Sequence, residues 1–124
     1  MKLLLDTHVV LWWQGSDRRL DRAARRMISN AAEIWVSAVS AWEVAIKTGI
    51  GKLRTPGPFE AAVEASGFRQ LPITFRHAAQ AGELPLHHRD PFDRMLIAQS
   101  QVERLTLVTH DDVFSSYPVT VLKV

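Results

Sequence analysis

No cysteine occurs among the 124 residues, which removes disulfides, thiolate zinc sites and cysteine nucleophiles together and is consistent with a reducing compartment. Charge of one sign is also scarce in excess: 15 Lys and Arg stand against 13 Asp and Glu, a formal +2, although the sequence pI is about 9.4. A polybasic nucleic-acid binder carries more, so any contact with a polyanion must come from local patches. No run approaches the roughly 18 uncharged apolar residues of a membrane span. The opening MKLLL is interrupted by Asp6 and His8 too early for a secretory signal. A cytoplasmic protein with no membrane association is expected. Repeats and low-complexity tracts are lacking as well. What is present, 47% hydrophobic and 23% charged residues, suits a single domain over residues 1–124.

Apolar patterning divides the chain into alternating elements. Lys2 to Leu5 reads as a buried strand, followed by a helix through Trp13. Leu20, Ala23, Ala24, Met27 and Ile28 recur on one helical face, with Arg18, Arg22, Arg25 and Arg26 elsewhere. Ile34 to Ser37 is a second strand, after which Ser40 and Glu43 have the spacing of a capping box opening a helix. Gly49 to Pro58, with three glycines and two prolines, is a loop between helices. Phe68 to Leu71 reads as a strand and Thr74 to Ala81 as a helix. Asp90 is an N-cap with Pro91 at the first position of a helix reaching about Val102. Leu105 to Thr109 and Val119 to Leu122 complete the strands. This alternation predicts an α/β fold with a central, mostly parallel sheet covered by helices on both faces, and ligands bind such sheets beyond the carboxyl ends of the strands.

That rule draws attention to four acids. Asp6 follows the first strand, Asp111 follows the strand 105–109, and Glu43 and Asp93 each fall at the third position of an expected helix starting from the same rim. Singly, each has an ordinary use: Glu43 in the capping box, Asp93 near a helix dipole, Asp6 and Asp111 in turns. Together they repel by a few kcal/mol per close pair unless a cation lies between them. Oxygen ligands without cysteine select a hard ion, Mg²⁺ or Mn²⁺. Such an ion suits phosphodiester hydrolysis, in which it activates a water and no side chain need act as nucleophile.

The segments LLLDTHVVLWW, SAVSAWEVAIKTGIGKL, HHRDPFDRMLIAQS and LTLVTHDDVFSSYPV together closely resemble PIN-domain ribonucleases of VapC type, the toxins of toxin–antitoxin pairs, in the family's order over nearly the whole chain. The resemblance implies a single PIN-like domain and a divalent-metal endoribonuclease with Asp6, Glu43 and Asp93 as core carboxylates and Asp111 as the fourth. Thr109 falls in the family's T-x-D position, and Asp112 adds a carboxylate where a small residue or proline is more usual. The resemblance further implies a homodimer, a cognate VapB-like antitoxin, and operator DNA bound only through the antitoxin complex.

Other features are weighed beside these. KTGIGKL fails as a phosphate loop, since Ile46 and Leu53 stand where Gly and Ser or Thr belong. Lys47, four residues after Glu43, reads as an ion-pair partner or as an orienting group for that acid. His8 and His110 are candidates to support the neighbouring ligands, whereas His87 and His88 read as an exposed loop. Arg18, Arg22 and Arg25 read first as a solvated helix face and second as an RNA phosphate contact. Trp12, Trp13, Trp35 and Trp42 read as core or dimer contacts. Two rival functions remain: a non-catalytic module that binds antitoxin or RNA, and a receiver-like magnesium phosphoacceptor, against which Asp6 stands alone after the first strand.

Overall fold

The computed structural model describes residues 1–124. The chain runs β1 (Lys2–Leu5), α1 (Thr7–Gln14), α2 (Arg22–Asn30), β2 (Glu33–Ser37), α3 (Ala38–Gly49), α4 (Phe59–Ala65), β3 (Arg69–Leu71), α5 (Phe75–Glu83), α6 (Pro91–Glu103), β4 (Thr106–Thr109) and β5 (Val121–Lys123), with a 3-10 turn at Asp112–Ser116. The strands form one five-stranded sheet of order β3-β2-β1-β4-β5. Every pairing in it is parallel, so the α/β expectation holds in a stronger form than a mostly parallel sheet.

β1 lies in the middle, and Leu3, Leu4 and Leu5 are fully buried, as a strand covered on both faces requires. Strand alternation sends Leu3 and Leu5 into one core with Val9 and Val10 of α1, Ile28 of α2 and Val63 of α4. Leu4 enters the opposite core with Val39 of α3, Leu96 and Ile97 of α6, and Phe114. Parallel pairing places every strand's carboxyl end on one rim. The helices run back across the faces, so α1, α3 and α6 begin at that same rim.

Several local expectations are corrected. The helix containing Glu43 starts three residues early: Ser37, the last residue of β2, is the cap, its hydroxyl accepting from the Val39 N–H at 3.0 Å. Ser40 is therefore inside the helix, where its buried Oγ accepts from the Thr7 hydroxyl at 2.9 Å. Glu43 thus lies in the second turn and completes no capping box. Leu20 precedes α2, whose cap is Asp21, and Ala23 is exposed. Arg25 does not face solvent. Its guanidinium donates to the carbonyls of Trp12, Asp17 and Leu20 at 2.9 to 3.0 Å, stitching the 15–20 connection onto α2.

Candidate active site

Asp6 occupies the step from β1 into α1, and its buried side chain does two jobs there. Oδ1 accepts from the Val9 N–H at 2.9 Å as the cap of α1, and Oδ2 accepts from the Thr109 hydroxyl at the end of the adjacent β4. Thr109 Oγ1 in turn accepts from the Asp111 N–H at 3.1 Å. The T-x-D segment therefore binds two rim acids through one hydroxyl. Asp111 itself caps the 3-10 turn, accepting from Val113 N–H at 3.0 Å. Burial raises the Asp6 carboxyl above its ordinary range, against the pull of the Thr109 and Val9 hydrogen bonds, and the Asp111 charge adds to the rise.

Glu43 and Asp93 hold the other side. Glu43 is buried and accepts from Lys47 at 2.8 Å, one helical turn on, so the expected ion pair forms. Asp90 caps α6 through the N–H groups of Phe92 and Asp93 at 2.8 and 3.1 Å, with Pro91 at the first position, which leaves Asp93 on the first turn at the rim. Asp93 Oδ2 lies 2.6 Å from His88 Nε2. Burial pushes the Asp93 carboxyl up to about 6 against the His88 hydrogen bond, and the Asp90 and Glu43 charges add to the rise. The ligand atoms of His88, Asp90 and Asp93 all lie within 4.8 Å of one another; Asp6, Glu43 and Asp93 do not draw together that closely. The four acids share the rim as two electrostatically linked pairs, Asp6 with Asp111 and Glu43 with Asp93.

The remaining candidates separate. His8 is exposed, and its charge acts on Asp6. His110 Nδ1 is 2.6 Å from the Val124 carbonyl, with its ring edge-on to Trp12. Asp112 pairs with Lys123 and lines the same cleft as Asp6 and Asp111. Arg18 and Arg22 are exposed on the surface, whereas Arg25 is spent on backbone carbonyls. His87 is exposed, and His88 lies in the expected loop before α6 but is not exposed: it is half-buried against Asp93, with its backbone N–H donating to the Tyr117 hydroxyl at 2.8 Å.

Three further groups support the site, and of their residues only Ser40 was singled out from the sequence, as a helix cap. Arg94 donates to the carbonyls of Ala81, Leu84, Pro85 and His88, holding the segment that presents His88. Thr7 and Ser40 link the starts of α1 and α3. Arg19 lies 5.0 Å from the Trp12 ring centre and lines the cleft that contains Asp6 and Asp111. Of the residues missed, only Arg94 had a usable signal, its place beside Asp93 in the DPFDR segment.

A PIN-domain sequence model matches residues 3–119. Ribonuclease VapC22 of Mycobacterium tuberculosis is 34% identical over 126 residues, spanning 96% of this chain and 97% of its own. The DNA-bound VapBC of Salmonella typhimurium superposes with a TM-score of 0.74 at 20% identity, covering 99% of this chain and 98% of that one. VapC20 of Mycobacterium tuberculosis, described as a sarcin-ricin loop cleaving toxin, gives 0.69 at 16% identity over 99% and 100% of the chains. VapBC2 of Rickettsia felis, solved on a promoter fragment, gives 0.72 at 16% identity over 99% and 98%. At these identities the solved structures establish the fold.

Proposed function

The chain belongs to the PIN-domain family, and from that premise we propose that it is the ribonuclease toxin of a toxin–antitoxin pair, a single domain over residues 1–124 that hydrolyses RNA phosphodiester bonds. The observation that carries the reading is the set of acids on one rim: Asp6 and Asp93 are both buried enough to be raised in pKa, each with a second carboxylate adding to the rise. Carboxylates concentrated at a cost to the protein are a functional signature.

A divalent cation fits this donor set, all hard oxygens with imidazole nearby, and Asp6, Glu43, Asp93 and Asp111 would hold Mg²⁺ or Mn²⁺ directly or through water. When bound, it lowers the pKa of a water and neutralises charge developing on the phosphodiester. The protein's own groups do the positioning. Thr109 fixes Asp6 and the Asp111 backbone together, and Asp90 aims Asp93 by capping its helix. Lys47 and His88 orient Glu43 and Asp93 by hydrogen bonds at 2.8 and 2.6 Å.

A VapB-like antitoxin is the proposed partner, with operator DNA engaged through it. A homodimer is supported by Trp42 and Ile46 of α3 and Ile50 at its C-cap, exposed at intervals of four. No helix is long and apolar enough to cross a membrane, and the cytoplasm is the proposed location. The test is single-turnover cleavage of RNA by purified protein in Mg²⁺, Mn²⁺ and EDTA. Cleavage that stops in chelator supports the reading, and undiminished cleavage in EDTA by protein freed of contaminating nuclease sinks it.

A further inference from the structure

The rim of acids opens on one side into a basic cleft. Its volume is about 440 Å³, walled by α1 on one side and by α3 with the 52–56 loop on the other. Arg19, Lys47, Lys52 and Arg54 line it against one carboxylate, Asp17. That carboxylate is already neutralised, because Arg19 grips it with Nε at 3.1 Å and Nη2 at 2.7 Å. Lys52 and Arg54 are exposed and make no ion pair at all. Their loop is anchored, however: Gly51 adopts φ +76°, a conformation costly for other residues, and the Lys52 N–H then donates to the Lys47 carbonyl at 2.9 Å. The side chains therefore project from a fixed turn. Gln14, also in the wall, carries a buried Nε2 donor with no partner.

The basic cleft is continuous with the acid site. His8, Trp12 and Arg19 line both it and the neighbouring cleft of about 430 Å³ that contains Asp6 and Asp111. Resting on the ribonuclease reading of the rim, we propose that the basic cleft is the track of the single-stranded RNA substrate. Lys52 and Arg54, which no carboxylate engages, take phosphates away from the cut. A phosphodiester strand carries one charge per nucleotide and so meets cations spaced along a groove in succession. His8 and His110, both exposed beside Trp12, add planar faces for bases. Arg18 and Arg22 line neither cleft, which moves RNA contact from the α2 arginines to the loop after α3.

The experiment is fluorescence anisotropy of a labelled, mixed-sequence single-stranded RNA in EDTA, where binding is read without cleavage, across a salt series. Lys52→Gln with Arg54→Gln should weaken binding about tenfold at low salt. The double change should also flatten the slope of log affinity against log salt by about 1.4, at roughly 0.7 per lost phosphate contact. Arg18→Gln with Arg22→Gln should change neither. In Mg²⁺, hydrolysis of bis(p-nitrophenyl) phosphate, too small to span the cleft, should be unaffected by the Lys52 and Arg54 changes, while kcat/KM on RNA falls with binding. Unaltered affinity and slope in the double variant overturn the track. So does a double variant that keeps RNA but loses a purified antitoxin, since the cleft is then a protein-docking surface. Weakened RNA binding in the double variant, together with a wild type that hydrolyses neither substrate in Mg²⁺ or Mn²⁺, upholds the track and overturns the ribonuclease reading instead.

Discussion

The two acid pairs of the rim are restrained by opposite means. On the strand side, Asp6 and Asp111 are held by neutral donors: the Thr109 hydroxyl and the N–H groups of Val9 and Val113. On the helix side, Glu43 and Asp93 lean on Lys47 and His88, side chains that carry or can take up positive charge. A neutral donor fixes a carboxylate and leaves its charge in place, whereas a cation cancels the charge and must yield before another cation can replace it. The strand side is preorganised; the helix side is compensated.

The largest effect that would break this comparison is on cleavage itself. Asp6→Asn keeps the cap geometry and removes the charge, and should lower single-turnover RNA cleavage by more than about a hundredfold, beyond the roughly 10–100-fold typical of losing an outer partner of a metal ligand. Circular dichroism should be unchanged. A variant with near-normal cleavage would take Asp6 out of the site.

Metal affinity sharpens the contrast. Thr109→Val frees Asp6 and should weaken Mn²⁺ binding by about 10–100-fold. His88→Gln removes the competitor at Asp93 and should tighten it. Titration calorimetry reads both, and equal losses in the two variants would mean that His88 is a ligand rather than a placeholder.

Stability comes next in size. The Asp93 carboxyl titrates near 6 in the folded protein against 3.8 ordinarily, so between those values the folded state holds the extra proton. Its contribution is therefore a penalty, fully present above about pH 6 and relieved as pH falls towards 4, and metal-free stability should rise over that descent. Asp93→Asn should flatten the dependence. It should also raise the metal-free Tm at pH 7 by roughly 5 °C, the relief of burial exceeding the about 0.3–1 kcal/mol that a charge contributes at a helix start. A lower Tm would mean that pairing and capping outweigh burial. The smallest expected effect is at Asp111→Asn. Asparagine caps as well as aspartate, so metal-free stability should stay within about 0.5 kcal/mol in denaturant titrations.

Sequence patterning anticipated these pairs unevenly, for physical reasons. Apolar periodicity located every strand, and the Asp90-Pro91 signature placed Asp93 on the first turn of α6, because both rest on local backbone chemistry. Glu43 was assigned to the right helix but the wrong turn. Ser37 and Ser40 are equally good caps in isolation, and the choice was made by the end of β2 and by Thr7, 33 residues before Ser40. α4 went unassigned because its seven residues, Phe59–Ala65, follow Pro58, which caps them without a side-chain hydrogen bond. Arg25 and His88 were misread as solvent-facing for a common reason: their partners are backbone carbonyls and a carboxylate brought in by tertiary packing, which periodicity does not register.

The central position of β1 has a kinetic consequence. The first strand made is hydrogen-bonded along one edge to β4, and the Thr109–Asp6 contact closes a separation of 103 residues. Contacts of that span are slow to form because loop closure precedes any return from them. At about 5–20 residues per second of synthesis, the rim stays incomplete for roughly 5–20 s after Asp6 is made, until Thr109 has joined the chain. A nascent or prematurely terminated chain therefore has no assembled cutting site while still beside the ribosome. The topology itself delays the hazard until the protein is nearly whole.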